Sequence, residues 1–149
     1  MNVFIESYCT LFERDLKKAM QEVSLYKKDE DLWKIQSEIK NSGGNLVLHI
    51  IGNLRHFIGH VLGGTAYERK RKIEFTSKDV HPEELIFGLG LAIEDIQNTL
   101  KQLTEEQLQE KYPIEVLGYE MTTAYFIAHL YGHLNYHLGQ VNYHRRQIS

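Results

Sequence analysis

Apolar residues recur at three- and four-residue steps in four separate stretches of this chain, and that spacing confines it to helices with one buried stripe each. The first stripe runs Phe4, Tyr8, Leu11, Phe12, Leu16, Ala19, Met20 and Val23, with Glu, Lys and Arg between its members, and stops near Tyr26. Lys27 to Asp31 reads as a charged connection, followed by a short turn of Leu32, Trp33 and Ile35 folded against the helices, with Trp33 as a core anchor. Asn41, Ser42, Gly43 and Gly44 carry turn and cap chemistry. They introduce a second helix from about Asn45 to Leu62, which Gly63 and Gly64 terminate.

The stretch from Thr65 to Val80 has no steady period and reads as a loop with some helical turns. Pro82, Glu83 and Glu84 suit the first turn of a third helix, where a missing N–H costs nothing and acidic groups oppose the helix dipole. Its seam of Leu85, Leu89, Ala92, Ile93, Ile96, Leu100 and Leu103 carries it to about Gln102 or Leu103. Thr104 to Gln107 resembles a short capped turn, and Tyr112 to Met121, broken by Pro113 and Gly118, reads as a small hairpin or an extended crossover. Thr122 or Thr123 then caps a last helix running to about Arg146. The expectation is an all-α four-helix bundle with an irregular or hairpin crossover before the last helix, formed as a single domain over residues 1–149.

Charge narrows the function classes. A formal charge of −3 and a pI near 6.2 give no bulk attraction for nucleic acid or anionic lipid. The short basic cluster Arg69 to Lys72 lies between Glu68 and Glu74 and reads as a solvated loop or helix end. No apolar run is long enough to span a bilayer, and the acidic early residues Glu6, Glu13 and Asp15 lack the form of a secretory leader. Cys9 is the sole cysteine, so no intramolecular disulfide forms, and with no basic neighbour in sequence it reads as a small buried hydrophobe. Together these features predict a cytoplasmic, unanchored protein with no nucleic-acid partner.

Seven of the eight histidines fall on the second and fourth helices. At about 100° per residue, His49, His56 and His60 share one edge of the second helix, bordering its apolar face. On the fourth, His129, His133 and His137 follow at four-residue intervals, the last two beside Phe126, Leu130, Leu134 and Val141. Imidazoles four residues apart on a helix reach one metal ion, because such side chains stack roughly 5–6 Å apart. The pairs His56 with His60, His129 with His133, and His133 with His137 all qualify, and spacing does not choose among them.

The tract Leu48-His49-Ile50-Ile51-Gly52-Asn53-Leu54-Arg55-His56 and the tract His133-Leu134-Asn135-Tyr136-His137-Leu138-Gly139-Gln140 resemble the DinB-like superfamily of damage-inducible proteins, which includes bacillithiol S-transferases. Gly52 through His56 followed by Gly63-Gly64 is similar to one mostly uncharacterised branch of it. The resemblance implies a divalent metal site built from one second-helix histidine and two fourth-helix histidines followed by Gly-Gln, here His49, His133 and His137. His56, His60 and His129 stand beside this set as extra histidines. Three imidazoles leave coordination positions open to water or substrate, and imidazole ligation suits zinc or nickel, with iron, manganese or copper as further options.

What the resemblance implies for activity is a metal-dependent transferase or hydrolase acting on a small molecule, with a low-molecular-weight thiol as a possible second substrate and a homodimer as the assembly. A noncatalytic stress-response protein that binds a metal or small ligand is the alternative. Asn53, one turn after His49, and Gln140, three residues after His137, are candidates to hold a ligand ring or bound water, or simply to bond helix to helix. Tyr8 and Tyr119 are candidates to line a mouth over the ion.

Overall fold

In the computed structural model, which describes residues 2–149, helix α1 spans Val3–Leu25. Asn2 caps it, its side-chain oxygen accepting from the Ile5 N–H at 2.9 Å. A 3₁₀ turn, Asp29–Trp33, buries Leu32 and Trp33 as their apolarity requires. Helix α2 spans Gly43–Leu54 and continues as a π-helix over Arg55–Leu62. Short α3 (Arg71–Thr76), long α4 (Pro82–Leu100), short α5 (Glu105–Gln109) and long α6 (Thr123–Ile148) complete the chain.

The four long helices form the bundle. Helices α1 and α2 each pack against both α4 and α6 and stand diagonally opposite one another. Their stripes meet in one core, to which α1 contributes Phe12 and Leu16, α2 Ile50 and Leu54, α4 Leu89 and Ile96, and α6 Phe126 and Leu130. Each of these side chains is almost wholly removed from water. At roughly 1.5–3 kcal/mol for each fully buried large apolar side chain, this burial is the main force holding the bundle. No helix is long and apolar enough to cross a membrane among the described residues.

Two boundaries depart from the expectation for physical reasons. Helix α2 begins at Gly43 rather than near Asn45, because Ser42 is the cap: its Oγ accepts from the Asn45 N–H at 3.2 Å. Gly43 and Gly44 therefore lie inside the first turn, where a Cβ would collide with the Tyr26 hydroxyl at the first position and the Trp33 ring at the second. The expected single helix to Leu62 also changes type at Arg55, with the Gly63 N–H reaching the Ile58 carbonyl at 2.9 Å. Because a π-helix puts more residues in each turn, the 100° step that sets His56 and His60 on the edge of His49 does not hold beyond Arg55.

Ile35, expected to fold against the helices with Leu32 and Trp33, lies beyond the turn and is 56% exposed; the remaining segments follow the sequence closely. Thr104 and Gln107 make a reciprocal capping box, with bonds of 3.1 and 2.9 Å. The segment before α6 forms no strand; a single bridge between Lys111 and Thr122, with the Tyr112 N–H on the Met121 carbonyl at 2.9 Å, clasps its base. Thr122 caps α6, accepting from the Tyr125 N–H at 3.0 Å.

One polar tie crosses the core. Asp15 of α1 is fully buried and accepts from Arg14 at 2.9 Å, from Asn135 of α6 at 3.1 Å and from the Tyr131 hydroxyl. Burial opposes its ionisation, but those three donors outweigh it and push its pKa down to about 2, below the ordinary 3.8. A carboxyl depressed in the folded state stabilises the fold above its unfolded pKa, and that contribution disappears as pH falls through the folded one. Denaturant midpoints recorded from pH 5 to pH 2 are therefore expected to fall steeply for the wild type below about pH 4. For Asp15→Asn the slope should be shallower, so that the gap between the two proteins narrows with acid; parallel curves would contradict the role given to Asp15.

Candidate metal centre

His49 points from α2, and His133 and His137 from adjacent turns of α6, into the seam between these helices. His49 Nε2 lies 3.2 Å from His133 Nε2, which lies 3.1 Å from His137 Nε2. All three candidate ligand atoms fall within 4.8 Å of one another. Two imidazole nitrogens each about 2.1 Å from a common ion, and separated by roughly this distance, subtend close to a right angle, as coordination geometries require.

The outer ring nitrogens decide which tautomers are present. His49 Nδ1–H donates to Glu74 Oε1 at 3.0 Å, and His137 Nδ1–H donates to Gln140 Oε1 at 2.7 Å. In its neutral form each of these rings therefore aims an unprotonated Nε2 at the centre. His133 Nε2 faces both of them and has at most one proton to share, so at least one lone pair is left directed at another. A cation at the shared point removes that conflict, and the donor set fits a divalent metal. Burial, reinforced by His137 and His49, lowers the His133 pKa to about 4. Burial lowers His137 as well, against a smaller opposing effect of Gln140. Near pH 7 both are neutral, the form that binds metal.

Behind His49 stands a support absent from the sequence reading. Glu74 of α3 is buried at 6% exposure and takes a two-point contact from Arg69, Nε to Oε2 at 2.8 Å and Nη2 to Oε1 at 2.9 Å. Burial disfavours its charge, but the bonds from His49 and Arg69 prevail and hold its pKa below the ordinary value. Its carboxylate lies directly against Gly52, where any Cβ would collide with it. Phe75, also on α3, covers the His49 ring with centroids 4.9 Å apart. The Arg69 guanidinium lies 5.7 Å from the Phe57 ring centre.

Several expectations change here. Arg69 is not a solvated loop residue: its side chain is 11% exposed and faces the centre, whereas Lys70, Arg71 and Lys72 do remain exposed. Gln140 holds the His137 ring, one of the roles open to it from the sequence. Asn53 does not; it is buried, and its Oδ1 has no hydrogen-bond partner among the described residues. Of the three candidate histidine pairs, only His133 with His137 joins the cluster. His56 stacks on His60 at 5.9 Å, His60 donates to the Thr65 carbonyl at 2.6 Å, and His129 stacks on Phe126 at 5.7 Å. The tyrosine mouth is not formed: Tyr8 packs with Phe4, Phe12 and Tyr131, and Tyr119 bonds to Tyr125 at 3.0 Å. Cys9 is buried, and burial raises its thiol pKa, in keeping with a packing role.

The family described as "Protein of unknown function (DUF1572)" matches residues 2–149. No curated protein matches the chain. A DinB-like protein from Bacillus cereus ATCC 10987, known from a crystal structure at 2.01 Å resolution, shares the fold with a TM-score of 0.75 at 17% sequence identity. The match covers 95% of this chain and 91% of that one.

If Glu74 fixes the tautomer and orientation of His49, Glu74→Gln should weaken zinc binding by about 10–100-fold in competition with a chromophoric chelator. Gly52→Ala, which displaces the same carboxylate, should do likewise. Unchanged affinity in both variants would show that the Glu74 contact does no more than pack α3 against α2.

Proposed function

The chain belongs to the DUF1572 family and shares the fold of a DinB-like protein, and on that premise we propose that it is a divalent-metal-dependent enzyme acting on a small molecule, a thiol transferase or a hydrolase. The observation that carries this reading is the convergence of three imidazole nitrogens, two of them held in the metal-binding tautomer by Glu74 and Gln140.

His49, His133 and His137 would hold the ion, with zinc or nickel the best suited to an all-imidazole set. The chemistry supplied when an ion is bound is Lewis acidity, which lowers the pKa of a water or thiol entering an open coordination position and makes it nucleophilic near neutral pH. Three protein ligands, and no thiolate among them, fit an open reactive centre better than a closed structural one. The protein's own part is to favour the neutral form of His133 and His137 by burial and to fix His49 and His137 from behind. It also covers His49 with Phe75, while His133 and His137 are only partly buried.

The test is to load the purified chain with zinc or nickel, measure the metal content, and screen thiol conjugation and amide or ester hydrolysis for wild type and His133→Ala. Stoichiometric metal and turnover that both vanish in His133→Ala are the expected result. Metal bound without turnover on any substrate would favour the alternative, a noncatalytic protein that sequesters a metal or small ligand.

A further inference from the structure

Gln140 has two neighbours. Its side-chain oxygen accepts from His137, and the residue also lines a cavity of about 350 Å³ at the junction of α6, the start of α2 and the segment before it. That volume lies at the lower end of the roughly 300–1,000 Å³ typical of small-molecule pockets. Ile39, Leu46 and Tyr143 supply apolar wall, and Lys40, Asn41 and Gln147 supply polar groups. His144 forms part of the lining, but both its nitrogens are engaged, Nδ1 by the Tyr26 hydroxyl at 2.7 Å and Nε2 by the Lys34 carbonyl at 2.8 Å. That part of the wall offers no free ring nitrogen to a ligand.

Two polar groups of the cavity, Gln140 and Lys40, share one sense. Because the Gln140 oxygen is committed to His137 Nδ1–H, the free half of that amide is its NH₂, a donor. Lys40 is a donor and a cation, and no acidic residue lines the cavity. Such a lining favours an occupant with acceptor oxygens and negative charge at one end and an apolar body against Ile39, Leu46 and Tyr143.

We infer that this cavity is the binding subsite for a small organic anion, an amphipathic carboxylate or a ligand of that shape and charge, held beside the histidine cluster through their common residue Gln140. The inference deepens the function proposed above and rests on it for what becomes of the ligand, although binding in the cavity needs no metal. An anion seated there would lie against Gln140, the residue that holds the outer nitrogen of His137.

The experiment uses the full chain, isotope-labelled for amide NMR, in zinc-free and zinc-loaded forms, titrated with hydrocinnamate and with the uncharged hydrocinnamyl alcohol. Hydrocinnamate should shift the amides of Leu46, Gln140, Tyr143 and Gln147 in both forms and bind more tightly than the alcohol. Lys40→Glu, in an exposed segment outside the cluster, should weaken hydrocinnamate by about tenfold, leave the alcohol unchanged, and leave zinc content unchanged. The inference is overturned by equal affinity for the two probes, by indifference to Lys40→Glu, or by shifts confined to the surroundings of His49, His133 and His137 in the zinc form. A chain that holds no zinc yet shows the cavity shifts would defeat the proposed function and leave the subsite standing; zinc without those shifts would do the reverse.

Discussion

Everything chemical in this protein depends on the register between α2 and α6, because a slip of one residue in either helix swings a histidine about 100° away from the shared point. Several contacts set that register. Phe57 of the π-helical segment packs edge-on against Phe126 of α6 at 5.3 Å, and the buried Tyr112 donates to the Phe57 carbonyl at 2.7 Å while its tilted ring lies 4.4 Å from that of Phe126. At the other end Tyr26 and His144 lock α6 to the glycine-lined start of α2. The cluster lies between these two anchors.

The second constraint is the place of α3. A loop helix of six residues has little core of its own, yet it delivers Glu74 and Phe75 to two sides of His49. Gly52 makes this approach possible, and Asn45 secures it by donating to the Glu74 and Ser77 carbonyls at 3.0 and 2.8 Å. The buried Glu74 charge is tolerable because Arg69 and His49 both satisfy it, as a low-dielectric site demands. Stability and site geometry thus share the same bonds: whatever loosens α3 also frees the ring of His49.

The bundle was legible in the sequence because each long helix carries an unbroken apolar stripe and recognisable ends: Pro82 at the start of α4, the capping box at Thr104, Thr122 before α6. The α6 half of the site was legible too, since a four-residue step in regular helix places His133 and His137 together and Gln140 within reach of the second. His56 and His60 misled because the 100° rule presumes α-geometry, and nothing in Arg55 to Leu62 announces a π-helix. Arg69 and Glu74 stayed hidden for a different reason. They sit five apart in a stretch without period, where position is set by tertiary packing on Gly52 and Phe57, and a basic run beside acidic residues reads the same whether one of its members turns inward or not.

The central claim is that one cation is shared by residues 49, 133 and 137, and anomalous scattering tests it most directly. Crystals grown with zinc and measured on both sides of the zinc absorption edge should show one strong anomalous peak within about 2.1 Å of all three Nε2 atoms. A peak at His56 and His60 instead, or none in the α2–α6 seam at full zinc occupancy of the solution, would contradict the account.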